Sequence, residues 1–489
     1  LDGIAGHAFS GQSIEDEGYM KRAQVDMNYS AVTAACLMVK KSIYDEVGGY
    51  DEVNFTVQYN DVDFNLKVRE KGYKIVYTPY ATAIHYGSVS QITYNEHKKV
   101  ARDTQEKRVM LEKWLPELIS DPAYNVNLSL SDTRCIFEPE FEVSWDTNFT
   151  DTHKVIGFPT NTGAITEHRM KAPFRNLNDV AKIDYAYMPT FDMKPEFRLP
   201  TLTEFERWKP DSILLPTTVT NQHLEFIKHI DQYSSVFKVF DLEDLKTVVP
   251  DKNSRKSILF PNMERRLRDA LSYCDRLIVT TEPIKQAHQD LIDDIQIVPI
   301  YLEKSRWGNV VSLRKQGLKP RVGWVGAPQH LGDLELIFDV VKATYKSVDW
   351  VFMGMCPEEL KDYVAEAHGY VMFEDYSEKM ASLDLDLAIA PLEIHPFNEA
   401  KSHLRLLEYG AMGWPVVCTD IYPYQNGPVK RVKNTKEAWV EAIMERVTDL
   451  DSTAKEGDEL KKWVHDNWML EDNLDVWMNA LTPGDQVES

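Results

Sequence analysis

Residues 397–420, FNEAKSHLRLLEYGAMGWPVVCTD, combine residue types that suit phosphate and hydroxyl groups. Lys401, Ser402 and His403 fall in the first turn of a predicted helix, where free backbone N–H groups and the helix dipole favour an anion. Glu408 follows one to two turns later, and its carboxylate can accept two hydroxyl protons. A ligand with a phosphate group close to a diol, such as a nucleotide sugar, would suit these two groups of residues.

The predicted helix also indicates where the carboxylate of Glu408 lies. Leu404, Glu408 and Ala411 are spaced i, i+4 and i+7, so they share one helix face. A buried charge on that face needs a partner. The alternative is a solvated Glu408 paired with Arg405 or Lys401, because surface ion pairs are common and weak.

The surrounding pattern predicts a parallel α/β architecture. Gly413 is expected to end the helix, Pro415 cannot continue it, and residues 416–418 suit a buried strand. Apolar strands alternate with helices in two successive sets, KVIGFP, SILLP, VFKVFD, RLIVTT and IQIVPI, then RVGWVG, DWVFMG, GYVMF, LDLAIAP and PVVCTD. This alternation predicts two doubly wound sheets with a ligand cleft between their carboxyl ends.

The second set has a glycine turn and four predicted helices. Gly323 and Gly326 follow its first strand, and a helix is expected to begin near Gly332. Backbone amides at such a turn can approach a phosphate closely because glycine has no side chain. The helices are expected at residues 333–346, 357–368, 376–383 and 399–412.

GWVGAPQHLGDLEL and LDLAIAPLEIHPFNEAKSHLRLLEYGAMGWPVVCTD resemble the donor-binding domain of GT-B glycosyltransferases of family 4, a large retaining group. VIGFPTNTGAITEHRMKAPFRNL resembles that family's first strand and glycine turn. The resemblance implies that Glu408 binds the donor ribose and that Lys401 binds the donor phosphates. Ser402, in the same predicted turn, is a further donor-binding candidate. It further implies that Gly326 binds the pyrophosphate through its backbone.

Three further residues are candidates in the same cleft. The resemblance implies that Asn398 and Glu399 contact the sugar hydroxyls, with Glu399 a catalytic candidate. Many family members carry two glutamates eight positions apart, but Ala400 occupies the position eight before Glu408. His168 is the other catalytic candidate, or a surface residue at a helix start.

Three more candidate residues lie at or after the ends of strands of the first set. Arg169 could reach the cleft from the turn after the first strand and bind the donor. Asp241 and Asp244 could contact the acceptor, although capping the following helix is the simpler interpretation.

The N-terminal region has a separate signature. AACLMVKKSIYDEVGGYDE and YNDVDFNLKVREKGYKIVYTPYATAIHYG resemble the acceptor half of family 2 GT-A glycosyltransferases, which are inverting and metal dependent. The resemblance implies that Asp61 is the general base, or merely caps its helix, and that His85 lies by a metal and the diphosphate. That fold's nucleotide-binding half is expected before Leu1, so the first transferase looks incomplete.

The predicted elements and domains follow from these patterns. In the N-terminal region we expect strands at 34–39 and 74–85 and helices at 42–47, 61–71 and 106–119. The overall prediction is an α/β protein, with a GT-B pair of Rossmann-like domains after a partial GT-A domain. The predicted segments are a GT-A half at 1–118, a linker at 119–152, GT-B domains at 153–302 and 303–457, and a helical tail at 458–489.

Composition limits the partners. The 489 residues carry a formal net charge of −22, which argues against general nucleic-acid binding. Five scattered cysteines without a CxxC pair suit a reducing compartment. No apolar run is long enough to span a membrane. We expect a cytoplasmic protein, with peripheral contact at the inner membrane face through the basic segment 96–114 as an alternative to a solvated helix.

The sequence thus predicts an enzyme that moves a sugar from a UDP- or GDP-sugar to a glycan or glycolipid acceptor in surface-polysaccharide biosynthesis. No cofactor is expected in the GT-B cleft, whereas Mg²⁺ or Mn²⁺ is expected only in a complete GT-A site. One alternative is a non-catalytic scaffold that binds a glycan or nucleotide sugar. Another is a GT-B epimerase or phosphorylase.

Overall fold

The computed structural model has two compact units. Unit 1 comprises Leu1–Asn148, Arg198–Pro210 and His229–Ser235, and unit 2 comprises Phe149–Phe197, Asp211–Lys228 and Val236–Ser489. The structure describes residues 4–85, 96–130, 135–138, 141–145, 151–159, 163–188, 199–217, 220–254, 256 and 262–484.

Unit 1 is mainly helical with one short antiparallel sheet. Strand β1 (Met27–Tyr29) pairs with β2 (Ile75–Tyr77). Its α-helices are Lys41–Glu46, Asn60–Glu70, Glu96–Ile119 and Leu202–Trp208, with 3₁₀ turns at Tyr19–Lys21 and Ala34–Cys36. The helix Asn60–Glu70 buries Leu66 against Met110 and Trp114 of the long helix. Its other side buries Phe64 and Val68 against Ile75.

Two strand predictions in unit 1 are wrong. Residues 34–39 contain a 3₁₀ turn, because Asp61 accepts the backbone N–H of Ala34 at 3.0 Å and Thr33 caps the turn. In the predicted pair at 74–85 only Ile75–Tyr77 is a strand. The predicted helices at 42–47, 61–71 and 106–119 are present, although the last begins earlier, at Glu96.

The first half of unit 2 is a six-stranded parallel sheet. Its strands are β3 (His153–Gly157), β4 (Ile183–Tyr187), β5 (Ser212–Leu215), β6 (Phe237–Leu242), β7 (Arg276–Val279) and β8 (Ile295–Ile297), in the order β4-β3-β5-β6-β7-β8. A helical segment follows β3, with a π-helical turn at Glu167–Lys171 between Ala164–Thr166 and Ala172–Asp179. Further helices are Met263–Leu271, Glu282–His288 and Asn221–Tyr233, of which residues 221–228 belong to this unit.

The second half is another six-stranded parallel sheet. Its strands are β9 (Arg321–Val325), β10 (Asp349–Met353), β11 (Glu366–His368), β12 (Leu387–Ala390), β13 (Val416–Thr419) and β14 (Lys430–Val432), in the order β11-β10-β9-β12-β13-β14. The helices of this half are Leu331–Glu335, Phe338–Thr344, Phe373–Ala381, Pro396–Glu399, Leu404–Met412 and Lys436–Thr448. The prediction of two doubly wound parallel sheets is confirmed.

Three details of the second half differ from the prediction. The helix expected at 357–368 is a 3₁₀ turn, Glu358–Tyr363, followed by β11. The strand expected at 369–373 is absent, since a helix begins at Phe373. The helix expected at 399–412 is broken between Glu399 and Leu404, where the carbonyl oxygen of Ala400 accepts the hydroxyl of Thr281.

The C-terminal segment is helical and packs on both halves of unit 2. The helix Leu450–Asn467 places Leu460 and Val464 in the second half's core. The helix Leu474–Leu481 places Trp477 in the first half's core. In the described part of the chain, no helix combines the length and apolar character needed to cross a bilayer. The predicted boundaries at residues 118, 152, 302 and 457, and the assignment of unit 1 to half a GT-A domain, stay predictions.

Candidate functional site

The candidate site lies at the carboxyl end of the second sheet, where the strand order reverses between β9 and β12. Ligands of doubly wound sheets bind at such a switch point. A narrow pocket there, which we call the switch-point pocket, is lined by Lys252 of the first half and by Gly332, Asp333, Glu393, Asn398 and Lys401 of the second. Its volume of about 10 Å³ leaves room for about one water molecule.

A buried carboxylate, that of Asp333, organises the pocket. One of its oxygens accepts the amide of Glu393 and the side chain of Asn398, both at 2.8 Å, and the other lies 2.8 Å from Nδ1 of His330. Although burial raises the pKa of Asp333, the hydrogen bond to His330 and the charge of Lys401 hold it below its ordinary value. Asp333 is therefore ionised at neutral pH and joins the turn after β9 to the segment after β12.

His330 is the neutral partner of that carboxylate. Burial, and then the charges of Lys401 and Arg405, lower the pKa of His330 to about 3. Because an ionised carboxylate can only accept, the proton of neutral His330 lies on Nδ1. The pair therefore carries one negative charge.

Asn398, a predicted sugar contact, has a structural task in this arrangement. Its buried side-chain amide donates to Asp333 and, at 3.0 Å, to the carbonyl oxygen of Glu393. Both N–H groups of the amide are thus engaged within the protein. Its carbonyl oxygen is the group left for a hydroxyl.

Lys401 and Ser402 precede the helix that was expected to contain them. The helix Leu404–Met412 has His403 as its N-cap, so the two residues lie in the break before it and not in its first turn. The ammonium of Lys401 lies 5.0 Å from the centre of the Phe397 ring and lines the switch-point pocket. Its position still suits an anion in the pocket.

The carboxylate of Glu399 is engaged elsewhere, since one oxygen accepts the backbone N–H of Tyr422 at 3.2 Å. Ala400 is buried. The segment 399–400 therefore turns its one carboxylate toward the loop after β13.

Glu408 is buried, so the alternative of a solvated glutamate is wrong. The hydroxyl of Tyr376 donates to it over a long 3.4 Å, and the charge of Arg405 acts on it. Burial raises the pKa of Glu408 from 4.5 to about 7 against these two opposing effects. The carboxylate thus titrates near neutral pH and has one weak hydrogen bond among the described side chains.

Gly326 directly follows β9, but its amide is already used. The N–H of Gly326 donates to the carbonyl oxygen of Met353 at 3.0 Å. A Cβ atom at position 326 would lie 2.3 Å from the Trp324 ring, so only glycine fits there. In this conformation the close packing against Trp324 explains why residue 326 is a glycine. A free backbone amide does not explain it.

His168 lies at the seam between the two halves of unit 2. Its buried ring packs edge-to-face on Phe373, with ring centres 5.4 Å apart. Burial, and then the charge of Arg306, lower the pKa of His168 to about 4. Its Nε2 atom is buried, with no hydrogen-bond partner among the described residues. The surface interpretation of His168 is therefore wrong.

Arg169 is a buried structural residue and does not line the switch-point pocket. Its guanidinium binds both carboxylate oxygens of Asp241, with a shortest N–O distance of 2.6 Å, and also donates to the carbonyl of Val298. It stacks 4.8 Å from the centre of the Trp477 ring. Asp241 is thus an ion-pair partner and not a helix cap.

In unit 1 both carboxylate oxygens of Asp61 accept backbone amides, that of Ala34 at 3.0 Å and that of Val62 at 2.9 Å. His85 is exposed. The residues that the structure describes contain no group of three acidic, His or Cys side chains placed to hold a metal. The described residues do not build the metal site that the resemblance implies, so we derive no metal-dependent step for unit 1.

Sequence reasoning missed His330, Asp333 and Glu393. Each follows an apolar strand, β9 or β12, at its carboxyl end. His330 and Asp333 are also spaced i, i+3 at a predicted helix start. Polar residues at the carboxyl ends of neighbouring parallel strands were the pattern in the sequence that could have revealed these three residues.

Comparison with known proteins gives partial matches. No protein-family model matches the chain. A Sinorhizobium fredii protein named "Uncharacterized protein y4gI" is 44% identical over 130 residues, 27% of this chain and 14% of that protein. The O-antigen biosynthesis protein RfbC of Myxococcus xanthus is 28% identical over 139 residues, 28% of this chain and 10% of that protein. The matched parts therefore span a small share of these relatives.

Among solved structures, a sucrose-phosphate synthase from Thermosynechococcus elongatus aligns with 67% of this chain and 97% of its own, at 12% identity and a TM-score of 0.47. Anabaena HepE, solved with UDP and glucose, aligns with 67% of this chain and 98% of its own, at 11% identity and a TM-score of 0.47. Because both TM-scores are below 0.5, we assign the fold from the strand order of the two parallel sheets alone.

Proposed function

We propose that unit 2 is a glycosyltransferase that uses a UDP- or GDP-sugar as donor and a glycan or glycolipid as acceptor. The switch-point pocket would hold the donor, with Lys401 near the diphosphate. Glu408 would bind the ribose. The reaction proposed is a retaining transfer of the kind that family 4 GT-B enzymes perform.

Glu408 is the observation that supports this proposal most. A buried carboxylate with one long hydrogen bond is costly unless a partner satisfies it. A ribose diol supplies two hydroxyl donors to the two carboxylate oxygens. Its binding would stabilise the ionised form of a group whose pKa is about 7 without ligand.

The proposed chemistry needs no side-chain nucleophile. Lys401 would offset charge that develops on the leaving diphosphate, and the cleft would align the acceptor with the sugar. We propose a role in O-antigen-type polysaccharide synthesis, which the name of the Myxococcus relative supports. We further propose that unit 1 is related to the acceptor half of an inverting transferase and that the protein works in the cytoplasm.

Calorimetric titration of the chain with UDP-, GDP- and ADP-sugars, with and without EDTA, tests the donor site. We expect one donor to bind independently of EDTA, and Glu408→Gln to weaken it about tenfold. Glu437→Gln, at an exposed position in the first turn of Lys436–Thr448, is the control. The proposal fails if no nucleotide sugar binds, or if Glu408→Gln binds as tightly as the control.

A transfer assay with the bound donor then separates the enzyme from the scaffold. Release of the nucleoside diphosphate that depends on an added glycan acceptor supports the transferase. Binding without transfer to any acceptor of a glycan panel would favour the non-catalytic alternative.

A further inference from the structure

We infer that the carboxylate of Glu393 binds hydroxyl groups of the donor sugar. This inference rests on the proposed function and identifies the residue that recognises the donor sugar. Glu393 lies in the loop after β12 and lines the switch-point pocket together with Lys401 and Lys252.

The backbone of Glu393 is held on both sides by buried polar residues. Its N–H donates to Asp333 at 2.8 Å, and its carbonyl oxygen accepts from Asn398 at 3.0 Å. The preceding residue, Leu392, donates to and accepts from the hydroxyl of Thr419 at 2.9 and 3.1 Å. A side chain on so firmly fixed a backbone is well placed to orient a ligand.

The carboxylate itself is available. Among the residues that the structure describes, none lies within hydrogen-bond or ion-pair distance of the Glu393 side-chain oxygens. The neighbouring Lys252 forms its ion pair with Glu335 instead. An open carboxylate in a lined pocket calls for a donor from a ligand.

The chemistry of the pocket selects hydroxyl groups. An ionised carboxylate only accepts hydrogen bonds, so it repels phosphate and attracts O–H groups. Lys401 has the opposite preference and suits the diphosphate. A nucleotide sugar presents both groups side by side, with the sugar hydroxyls facing Glu393.

Gly332 keeps space beside this carboxylate. A Cβ atom at position 332 would lie 3.1 Å from Cβ of Lys252 and 3.7 Å from Oε2 of Glu393. The pocket holds about 10 Å³ in this conformation, so it must widen to admit a sugar. The Lys252–Glu335 ion pair bridges residues 250–253 and 329–335.

Glu437 provides the control. It lies in the first turn of Lys436–Thr448, where its side chain is exposed. Glu393→Gln and Glu437→Gln make the same chemical change at a pocket carboxylate and at an exposed carboxylate outside the pocket. Circular dichroism and thermal unfolding check that both variants are folded.

The test is calorimetry of each variant with the nucleotide sugar that the wild type binds and with the matching nucleoside diphosphate. We expect Glu393→Gln to weaken nucleotide-sugar binding about tenfold and to leave nucleoside-diphosphate binding unchanged. Glu437→Gln should change neither affinity.

Two outcomes overturn the inference while the donor site stands. One is a Glu393→Gln variant that binds the nucleotide sugar as tightly as the wild type. The other is a Glu393→Gln variant that binds both ligands equally weakly, which places Glu393 at the nucleotide. A wild type that binds neither ligand defeats the proposed function itself, and that result is distinct from both.

Discussion

The hydroxyl of Thr281 donates a 2.7 Å hydrogen bond to the carbonyl oxygen of Ala400. Thr281 follows β7 in the first half of unit 2, and Ala400 immediately precedes Lys401 in the second. This buried bond therefore joins the two halves at the segment that carries the proposed phosphate-binding lysine. The position of Lys401 depends on a residue of the other half.

Thr281→Val should weaken both the fold and the donor site. The substitution removes the hydroxyl and leaves the Ala400 carbonyl without its donor, at a cost of about 1 to 3 kcal/mol in the free energy of unfolding. The affinity for the nucleotide sugar should also fall, because Lys401 loses its anchor. Urea denaturation and calorimetry measure the two effects.

Thr280→Val is the control for that experiment. The hydroxyl of Thr280 donates at 2.9 Å to the carbonyl of Glu243, which lies in its own half. A similar loss of stability with unchanged donor affinity is expected. Equal affinities in the two valine variants would show that the Thr281 bond does not position Lys401.

Glu408 should make stability depend on pH. Burial raises its pKa from 4.5 to about 7 in the folded chain, so between these values the folded state binds more protons than the unfolded state. Stability therefore falls as pH rises through this window, by at most about 3 kcal/mol from this group. Glu408→Gln cannot titrate, so its stability should decline less than that of the wild type.

Urea denaturation of both proteins at intervals from pH 4.5 to 8 measures this difference. Other titrating groups are common to the two chains and largely cancel in the subtraction. A difference between wild type and Glu408→Gln that stays constant with pH would contradict the raised pKa.

The central strands of both sheets were predictable from sequence because they are apolar on both faces. The strands β3, β5, β9, β12 and β13 all match predicted runs. The missed strands, β4 and β14, and the misassigned β11 lie at sheet edges. Edge strands keep polar residues such as Asp184, Lys430 and Glu366, so a search for apolar runs does not find them.

The candidate site was predictable only where its chemistry lies within one segment. The spacing of Lys401 and Glu408 indicates a phosphate site and a buried carboxylate along one stretch of chain. The Asp333 cluster joins residues up to 65 positions apart, so no local pattern reveals it. The ion pair of Arg169 was not predictable for the same reason, since its partner Asp241 is 72 positions away.

Arg169→Met should destabilise the fold without removing the donor site. The substitution leaves Asp241 buried without its counter-charge, which typically costs about 3 to 5 kcal/mol. Guanidinium-chloride denaturation measures the loss. The donor affinity of the folded fraction should match the wild type, because Arg169 contacts Asp241, Val298 and Trp477 and not the switch-point pocket.

The double variant Arg169→Met, Asp241→Asn completes a thermodynamic cycle. Removing both charges should cost less than the sum of the single changes, because neither charge is then left alone. A stable Arg169→Met protein that no longer binds the donor would show that Arg169 takes part in donor binding.

Gly457→Ala should destabilise the packing of the C-terminal helix on the second half. Alanine gains about 1 kcal/mol of helix propensity over glycine inside Leu450–Asn467. Its Cβ atom, however, would lie 2.2 Å from the carbonyl oxygen of Gly413 and 2.9 Å from the ring of Pro415. Backbone atoms cannot turn aside as a flexible side chain does, so overpacking costs about 1 to 3 kcal/mol and outweighs the gain.

Gly369→Ala is the control for this change, because nothing lies within 4 Å of the added Cβ atom. Its effect on the free energy of unfolding should stay within about 0.5 kcal/mol. Thermal and urea unfolding compare the two variants with the wild type. If Gly457→Ala proves as stable as Gly369→Ala, the helix Leu450–Asn467 must shift away from residues 413–415. The close contact would then be dispensable for holding the tail across both halves.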